Sequence, residues 1–217
     1  MALSEMELRV LGALVEKERT TPDAYPLSTQ ALVTACNQIT NRDPVTDYHL
    51  QEVRDTTRRL RDRGLASTVQ EVADRVPKHR HLLDRALDVD ATELALLAVL
   101  MLRGPQTASE LRTRTERYGG VGDQARVEGV LARLAEREPP LVRNVGRSPG
   151  QAQDRWCHAL GLDEGRLQPR ARTVPRPTGE PSTLATPGAA PTETDLEQRL
   201  SALEARVAAL EARGLGE

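Results

Sequence analysis

The side chains with the clearest chemistry form a basic run at positions 75 to 81. This run contains Arg75, Lys78, His79, Arg80 and His81. Cationic side chains at this density commonly bind the phosphates of a nucleic-acid backbone, because they neutralise charge and donate hydrogen bonds. We therefore predict that Arg75, Lys78 and Arg80 contact DNA phosphates or a partner protein.

A second candidate set lies on the third predicted helix. Its apolar side is predicted to consist of Leu50, Val53, Thr57 and Leu60. Gln51, Arg58 and Arg59 lie opposite that side, and side chains of these types hydrogen-bond to base edges in the major groove of DNA. The same face also carries the acids Glu52, Asp55 and Asp62. Phosphate repels these carboxylates, so the alternative is a solvated helix surface with internal ion pairs, such as Asp55 with Arg59.

Asn41 and Arg42 precede this helix within a polar segment at 37–44. Their side chains could donate hydrogen bonds to phosphate. Asn, Asp and Pro at this density also build hydrogen-bonded turns. The two roles are compatible, and we expect a turn whose Asn41 and Arg42 side chains contact DNA or a partner.

No residue pattern indicates catalysis. His79 and His81 form an HxH pair and Cys157 adjoins His158, but neither set has the four-ligand spacing of a zinc site. Adjacent side chains of a strand point to opposite faces, so Cys157 and His158 should not converge. P-loop, GxGxxG, GxSxG and HExxH motifs are missing from the sequence. We therefore predict a protein that is not an enzyme and that has neither a metal nor a cofactor.

The composition argues against a strong overall attraction to nucleic acids. The chain has 30 basic and 32 acidic residues and a formal net charge of -2, so DNA binding must rely on local patches. One Trp, three Tyr and no Phe are too few for the base-stacking surfaces that bind single strands. The first residues lack the features of a signal peptide, and the apolar run Leu94 to Leu102 is too short to cross a bilayer. We expect a cytoplasmic protein without membrane contact.

Three helices and a hairpin are predicted in the first part of the chain. Ser4, with a glutamate three residues later, caps a helix that ends near Arg19, and Ser28 caps a second helix. A third helix is predicted from about Thr46 to Arg63. Residues 65–83 then contain two β-prone runs, LASTV and RHLL, which predict a two-stranded wing.

The same order returns with different residues. Asp90 caps a helix that ends at Leu102, and Thr107 caps the next one. A third helix is predicted from Asp123 to Glu138, before two consecutive prolines. The runs LVRNVGR and DRWCHAL predict a second hairpin. The order helix, helix, helix, hairpin therefore occurs twice, which predicts two domains of the same architecture.

The third helix of the second copy has a different outer surface. Its core side is defined by Val127, Val130, Leu131 and Leu134. The residues left outside are Ala125, Glu128, Gly129, Ala132, Arg133 and Glu136. This surface is small, flat and somewhat acidic, so it suits packing against another protein chain better than a DNA groove. An ordinary exposed helix face is the alternative.

The C-terminal part of the chain has two compositions. Residues 163–192 are rich in Pro, Gly, Thr and Ala, which predicts a disordered linker. In 193–214, apolar residues alternate by four and three positions, as a coiled-coil seam requires. This seam consists of Leu196, Leu200, Leu203, Val207 and Leu210. We predict a homodimer through this short coiled coil, and the alternative is an amphipathic helix that folds back on its own domain.

The stretch LRVLGALVEKERTTPDAYPLSTQALVTACNQITNRDPV closely resembles the start of the bacterial YceH family of uncharacterised proteins. RVPKHRH, GPQTASELRTRTER and LVRNVGRSPGQ also resemble that family, so the resemblance covers about Leu3 to Leu160. The linker and coiled coil lie outside this shared pattern. The resemblance implies tandem winged-helix domains but brings no established activity.

These observations together predict a mainly α protein with small β wings. Two tandem winged-helix domains, at 1–88 and 89–162, precede the linker and the C-terminal coiled-coil helix. We predict a dimeric regulatory protein that binds double-stranded DNA through its first winged helix. The alternative is a protein-assembly module whose winged helices bind other chains, without DNA. The basic wing favours DNA, and the near-zero net charge with acids on both third helices favours assembly.

Overall fold

The computed structural model describes residues 2–70, 76–147 and 150–161. Within these ranges the chain is mainly helical, with two small antiparallel sheets. Arg75, the predicted linker at 163–192 and the predicted coiled coil at 193–214, with its seam from Leu196 to Leu210, lie outside the described residues.

The first half contains three principal helices and one sheet. Its elements are α1 (Glu5–Thr20), β1 (Leu27–Ser28), α2 (Thr29–Cys36), α3 (Leu50–Asp62), β2 (Ala66–Val69) and β3 (Lys78–His81). A short helix, α4 (Leu83–Leu87), connects this half to the second.

The second half repeats the same order of elements. These are α5 (Ala91–Arg103), β4 (Gln106–Thr107), α6 (Ala108–Thr115), α7 (Gln124–Glu136), β5 (Val142–Gly146) and β6 (Arg155–His158). Helix, strand, helix, helix and hairpin therefore occur twice, in halves that share no obvious sequence repeat.

Each sheet has three strands, one more than the sequence predicted. The strand orders are β1-β3-β2 and β4-β6-β5, and all pairs are antiparallel. In the first sheet, His79 of β3 lies between Leu27 on one side and Thr68 on the other. The additional strands β1 and β4 are two residues long, too short to give the alternating pattern by which strands are predicted.

Hydrogen bonds at the helix starts explain where these helices begin. The backbone N–H of Glu7 donates to the Ser4 hydroxyl at 3.2 Å, and the Glu7 carboxylate accepts the Ser4 N–H at 2.8 Å. The same reciprocal pair joins Thr107 and Glu110 at the start of α6. Ser28 caps α2 by accepting a backbone N–H. These three predicted helix starts are confirmed.

The third helix begins at Leu50, four residues later than predicted. The side chain of Asn37 accepts the Tyr48 N–H at 2.9 Å and the Thr46 hydroxyl at 3.2 Å. Arg9 donates to the carbonyl oxygen of Pro44 at 2.7 Å. These side chains hold residues 44–48 outside a helix, which no local sequence pattern indicates.

The second predicted strand of the first hairpin is displaced along the chain. The run RHLL was expected to be β, but β3 ends at His81 and Leu83 begins α4. Leu82 donates its N–H to the carbonyl oxygen of Leu65 at 2.8 Å, and the His81 imidazole accepts the Leu83 N–H at 3.3 Å. The first bond holds Leu82 next to the start of β2, and the second turns the chain into α4 at Leu83.

Among the described residues, one continuous hydrophobic core joins both halves within one compact unit. Every residue from Leu94 to Leu102 in α5 is buried, which is typical of a helix enclosed on all sides. Helix α1 packs against α5, and a Cβ at Gly12 would lie 2.9 Å from Leu102 Cγ. Gly12 therefore allows the close approach of the two helices.

None of the helices in the described ranges is long and apolar enough to cross a membrane.

Candidate functional site

One face of α3 carries exposed basic side chains at helical spacing. Arg54, Arg58 and Arg61 follow Gln51 at intervals of three and four residues, and all four are exposed. We refer to Gln51, Arg54, Arg58 and Arg61 as the basic face of α3. Gln51 and Arg58 were predicted from the sequence, whereas Arg54 and Arg61 were not, although their spacing from Gln51 places them on the same face.

The buried side of α3 differs slightly from the prediction. Val53, Thr57 and Leu60 are buried as expected, and Thr56 is buried with them. Leu50, which was predicted on the core side, is 38% exposed because it is the first residue of the helix. The Thr56 hydroxyl donates to the Glu52 carbonyl oxygen at 2.8 Å, so its burial leaves no unsatisfied group.

The acids of α3 make hydrogen bonds that differ from the expected ones. Asp55 pairs with Arg58 at 3.4 Å and accepts from the Gln51 amide at 3.1 Å. The predicted pair of Asp55 with Arg59 is wrong, because Arg59 donates instead to the Thr56 hydroxyl at 2.8 Å. An exposed pair such as Asp55 with Arg58 is weak, so Arg58 stays available to a stronger anionic partner.

Arg42 is buried rather than on the surface. Its side chain forms an ion pair with Glu16 and donates to the Ala35 carbonyl oxygen at 2.7 Å. The prediction that Arg42 contacts DNA or a partner is therefore corrected: its guanidinium stabilises the loop between α2 and α3. Local sequence does not show this, because Glu16 lies 26 residues earlier in the chain.

Asn41 lies half-buried next to Arg42. Its φ of 60° is in the left-handed region that Asn tolerates, and its Oδ1 accepts from Arg103 at 2.9 Å. Asn37 bonds both backbone groups of Tyr48 at 2.9 Å. The expected hydrogen-bonded turn is therefore present, with Asn41 near its surface.

The strand β3 separates the basic run into two faces. His79 and His81 are buried, while Arg80 is exposed and Lys78 is half-buried. Because side chains alternate along a strand, Lys78 and Arg80 lie on the sheet face that points away from the core. Arg80 donates to the Ser67 hydroxyl across the hairpin at 2.9 Å. Lys78 and Arg80 therefore belong to the outer surface of the first sheet and not to the basic face of α3, which is made of helix residues.

The two histidines of β3 face the interior and contact other residues of the protein. The His79 ring contacts the hydroxyls of Thr29 at 2.9 Å and Thr68 at 3.3 Å. Burial lowers the pKa of His79, and the nearby charge of Arg61 adds to this effect. The His81 Nε2 lies 2.9 Å from the Glu18 carboxylate.

The outer surface of α7 matches the sequence prediction. The expected core residues Val127, Val130, Leu131 and Leu134 are buried. The exposed residues include Ala125, Glu128, Gly129, Ala132, Arg133 and Glu136. A Cβ at Gly129 would meet no atom within 4 Å, so no other part of the described structure covers this position.

Within the ranges that the structure describes, no group of three or more His, Cys, Asp and Glu side chains could hold a metal ion. Cys36 and Cys157 are both free and buried. Burial raises the pKa of the Cys36 thiol to about 12 and also raises that of Cys157. Neither cysteine is a nucleophile at neutral pH, because the thiolate is the reactive form.

A family model and several individual relatives match this chain. The family described as "Protein of unknown function, DUF480" matches residues 3–151. A UPF0502 protein of Geobacter sulfurreducens is 47% identical over 175 residues, which cover 80% of this chain and 78% of the relative. A UPF0502 protein of Geotalea uraniireducens is 50% identical over 158 residues, covering 73% and 72%.

A third relative aligns over nearly the whole chain. The UPF0502 protein of Paraburkholderia phymatum is 38% identical over 207 residues, which cover 94% of this chain and 86% of the relative. That alignment continues past Leu162, whereas the match to the family model ends at residue 151. The chain therefore belongs to the DUF480 family of bacterial proteins.

Proposed function

We propose that each half of the structure is a winged-helix domain, at 1–88 and 89–162, and that the chain is a non-enzymatic, cytoplasmic regulator that binds double-stranded DNA. The repeated order of helix, strand, helix, helix and hairpin supports this proposal. In helix-turn-helix proteins and their winged relatives, one helix enters the major groove while neighbouring elements contact the backbone. We also propose that the DUF480 family and the YceH family, which the sequence resembles, are the same family.

The basic face of α3 is the observation that carries the proposal. Thirteen residues of helix extend about 20 Å, and the major groove, about 12 Å wide, admits one helix. Arg54 and Arg58 suit the acceptor edge of guanine, and Gln51 suits adenine. Asp55 lies among them and can accept a hydrogen bond from cytosine. This set combines the donors of Arg54, Arg58 and Gln51 with the acceptors of Gln51 and Asp55, and such a mixture fits base edges better than phosphates alone.

A dimer would complete the DNA-binding unit. We propose that the seam at 193–214 pairs two chains, because two related domains then reach a two-fold symmetric site. Sedimentation of a chain shortened to residues 1–193 tests this point. It should be monomeric where the full chain is dimeric, and a shortened chain that stays dimeric would rule out the seam as the cause of dimerisation.

Salt-dependent binding tests the DNA proposal directly. We expect the full chain to bind a labelled random duplex at 50 mM salt, as measured by fluorescence anisotropy. Affinity should fall steeply as salt rises to 200 mM, because binding releases counterions from the phosphates. Absence of binding at 50 mM salt would overturn the proposal.

A protein-assembly function is the second candidate, and two exposed apolar side chains favour it. Ile39 is 83% exposed and Val45 is 53% exposed, and both lie in the loop that leads to α3. Both side chains are therefore accessible for contact with another protein. Replacement of Ile39 and Val45 by Ser should abolish capture of partner proteins while it leaves DNA affinity unchanged, if assembly is the function.

A further inference from the structure

A groove lies where the end of α1, the loop between α2 and α3, and a short 3-10 turn at Glu116–Tyr118 meet. Its volume is about 530 Å³. Side chains from both halves line it, chiefly Lys17, Arg19, Gln38, Asn41 and Arg117, with two threonines. The groove is open to solvent and is separate from the basic face of α3, because the two surfaces share no residue.

The lining of the groove is cationic. Lys17, Arg19 and Arg117 contribute positive charge, and none of the described residues that line the groove is acidic. The carboxylate beneath them belongs to Glu16, which is fully buried and already pairs with Arg42 and Arg117. A second carboxylate, that of Glu18, interacts with the charge of Arg19 and contacts His81. Two carboxylates therefore face four cations, Lys17, Arg19, Arg42 and Arg117, so the groove keeps a net positive charge.

Two amide side chains add hydrogen-bond donors to these charges. The Gln38 oxygen accepts from Arg42 at 3.1 Å, and the Asn41 oxygen accepts from Arg103 at 2.9 Å. Arginine has only donors, so it fixes which end of each amide faces it. The amide nitrogens are then left for other partners, and these nitrogens are donors too. Charges and amides thus favour a ligand that only accepts hydrogen bonds.

The position of Lys17 gives further support. Burial lowers the pKa of Lys17, Glu16 raises it, and the charges of Arg42 and Arg117 lower it further. The Lys17 ammonium lies 3.9 Å from the Glu16 carboxylate, which Arg42 and Arg117 already occupy. An anion in the groove would offset the repulsion among these cations.

We propose that this groove binds a small phosphate-bearing anion, such as a phosphate monoester or a pyrophosphate group. The lining of the groove is polar and basic, unlike that of a site for an apolar ligand. Because both halves contribute, a bound phosphate would bridge α1 and the turn that carries Arg117. This proposal stands independently of DNA binding.

Calorimetric titration of the full chain with inorganic pyrophosphate tests the site. We expect one saturable binding event for each chain. Arg19 is exposed, so Arg19→Gln should keep the fold, which circular dichroism can verify, and should weaken pyrophosphate binding about tenfold through loss of a charge-assisted hydrogen bond. Arg58→Gln removes the same charge from the basic face of α3 and should leave pyrophosphate binding unchanged.

Two results would overturn this proposal. The first is a wild-type chain that binds no pyrophosphate, and the second is an Arg19→Gln chain that binds it as tightly as the wild type. If the first result came with a loss of affinity for duplex DNA in Arg19→Gln, the groove would be assigned to phosphates of a nucleic acid. Loss of DNA binding in Arg58→Gln alone would leave the groove proposal supported.

Discussion

Glu16 and Arg42 form an ion pair in which both side chains are fully buried. Arg117, from the second half, contacts the same carboxylate. Glu16 therefore joins α1 to the loop before α3 and to the turn after α6. Arg42 also donates to the Ala35 carbonyl oxygen at 2.7 Å, so most of its donors are used inside the protein.

Replacement of Glu16 tests how much this pair stabilises the fold. Glu16→Gln leaves the buried Arg42 guanidinium without its counter-charge, and we expect the free energy of unfolding to fall by about 3 kcal/mol. Urea denaturation followed by circular dichroism measures the change. Asp62→Asn is the control, because Asp62 pairs with Arg61 on the exposed surface and its loss should change stability by less than about 0.5 kcal/mol. Equal stability in the two variants would contradict the prediction.

The basic face of α3 leads to a prediction about DNA affinity. Arg58→Gln should weaken duplex binding by about 1–3 kcal/mol if Arg58 reads a base, and Arg54→Gln should do the same. Fluorescence anisotropy at 50 mM salt gives both affinities. Arg133→Gln on α7 is the matched control, since its side chain is 60% exposed and that of Arg58 is 66% exposed.

A similar loss in Arg133→Gln would show that binding depends on overall charge rather than on α3. An unchanged affinity in both Arg54→Gln and Arg58→Gln would remove α3 from the interface altogether. In either case the folded state of each variant should be verified by its thermal unfolding midpoint, so that a loss of affinity is not a loss of structure.

Helix starts and core faces could be predicted because they depend on residues close in sequence. Ser4 and Glu7 are three residues apart, and one turn of helix brings them together. The buried face of α7 follows from the helical period alone, so Val127 and Leu134 were placed correctly. In both cases the interacting residues lie within one or two helical turns of each other, so the local sequence shows them together.

Candidate surface residues were harder to predict because their partners are distant. Arg42 looks like a surface cation until Glu16, 26 residues away, is brought next to it. His79 and His81 are two residues apart, so the strand period puts them on one face. Only the packing of β3 against Thr29 and Glu18 decides that this face is the inner one.

The two helical glycines Gly12 and Gly129 should respond in opposite ways to alanine. Alanine improves helix propensity at both, so Gly129→Ala, which points into open space, should gain up to about 1 kcal/mol of stability. At Gly12 the new Cβ would lie 2.9 Å from Leu102 Cγ. Gly12→Ala should therefore be about 2 kcal/mol less stable than Gly129→Ala, because the α1 and α5 backbones must separate. Urea unfolding of both variants checks this difference, and equal stabilities would show that α1 and α5 tolerate a wider spacing.

The imidazole of His158 should make stability depend on pH. Burial lowers the pKa of His158 to about 4, and the charge of Arg143 adds to this effect. The pKa of the unfolded side chain is about 6.5, so between these values the unfolded state binds more protons than the folded state. Stability is therefore complete above about pH 6.5 and is lost as the pH falls towards 4.

We expect the free energy of unfolding to fall by about 2 kcal/mol between pH 7 and pH 5 because of His158. His158→Gln removes the titrating group, so its stability should change less over this range, while the remaining dependence comes from His79, whose pKa burial also lowers. Urea denaturation of both proteins at pH 7 and pH 5 gives the comparison. If the two proteins lose the same stability, His158 is not protonated on unfolding in this range, and its folded pKa must lie close to that of the free imidazole.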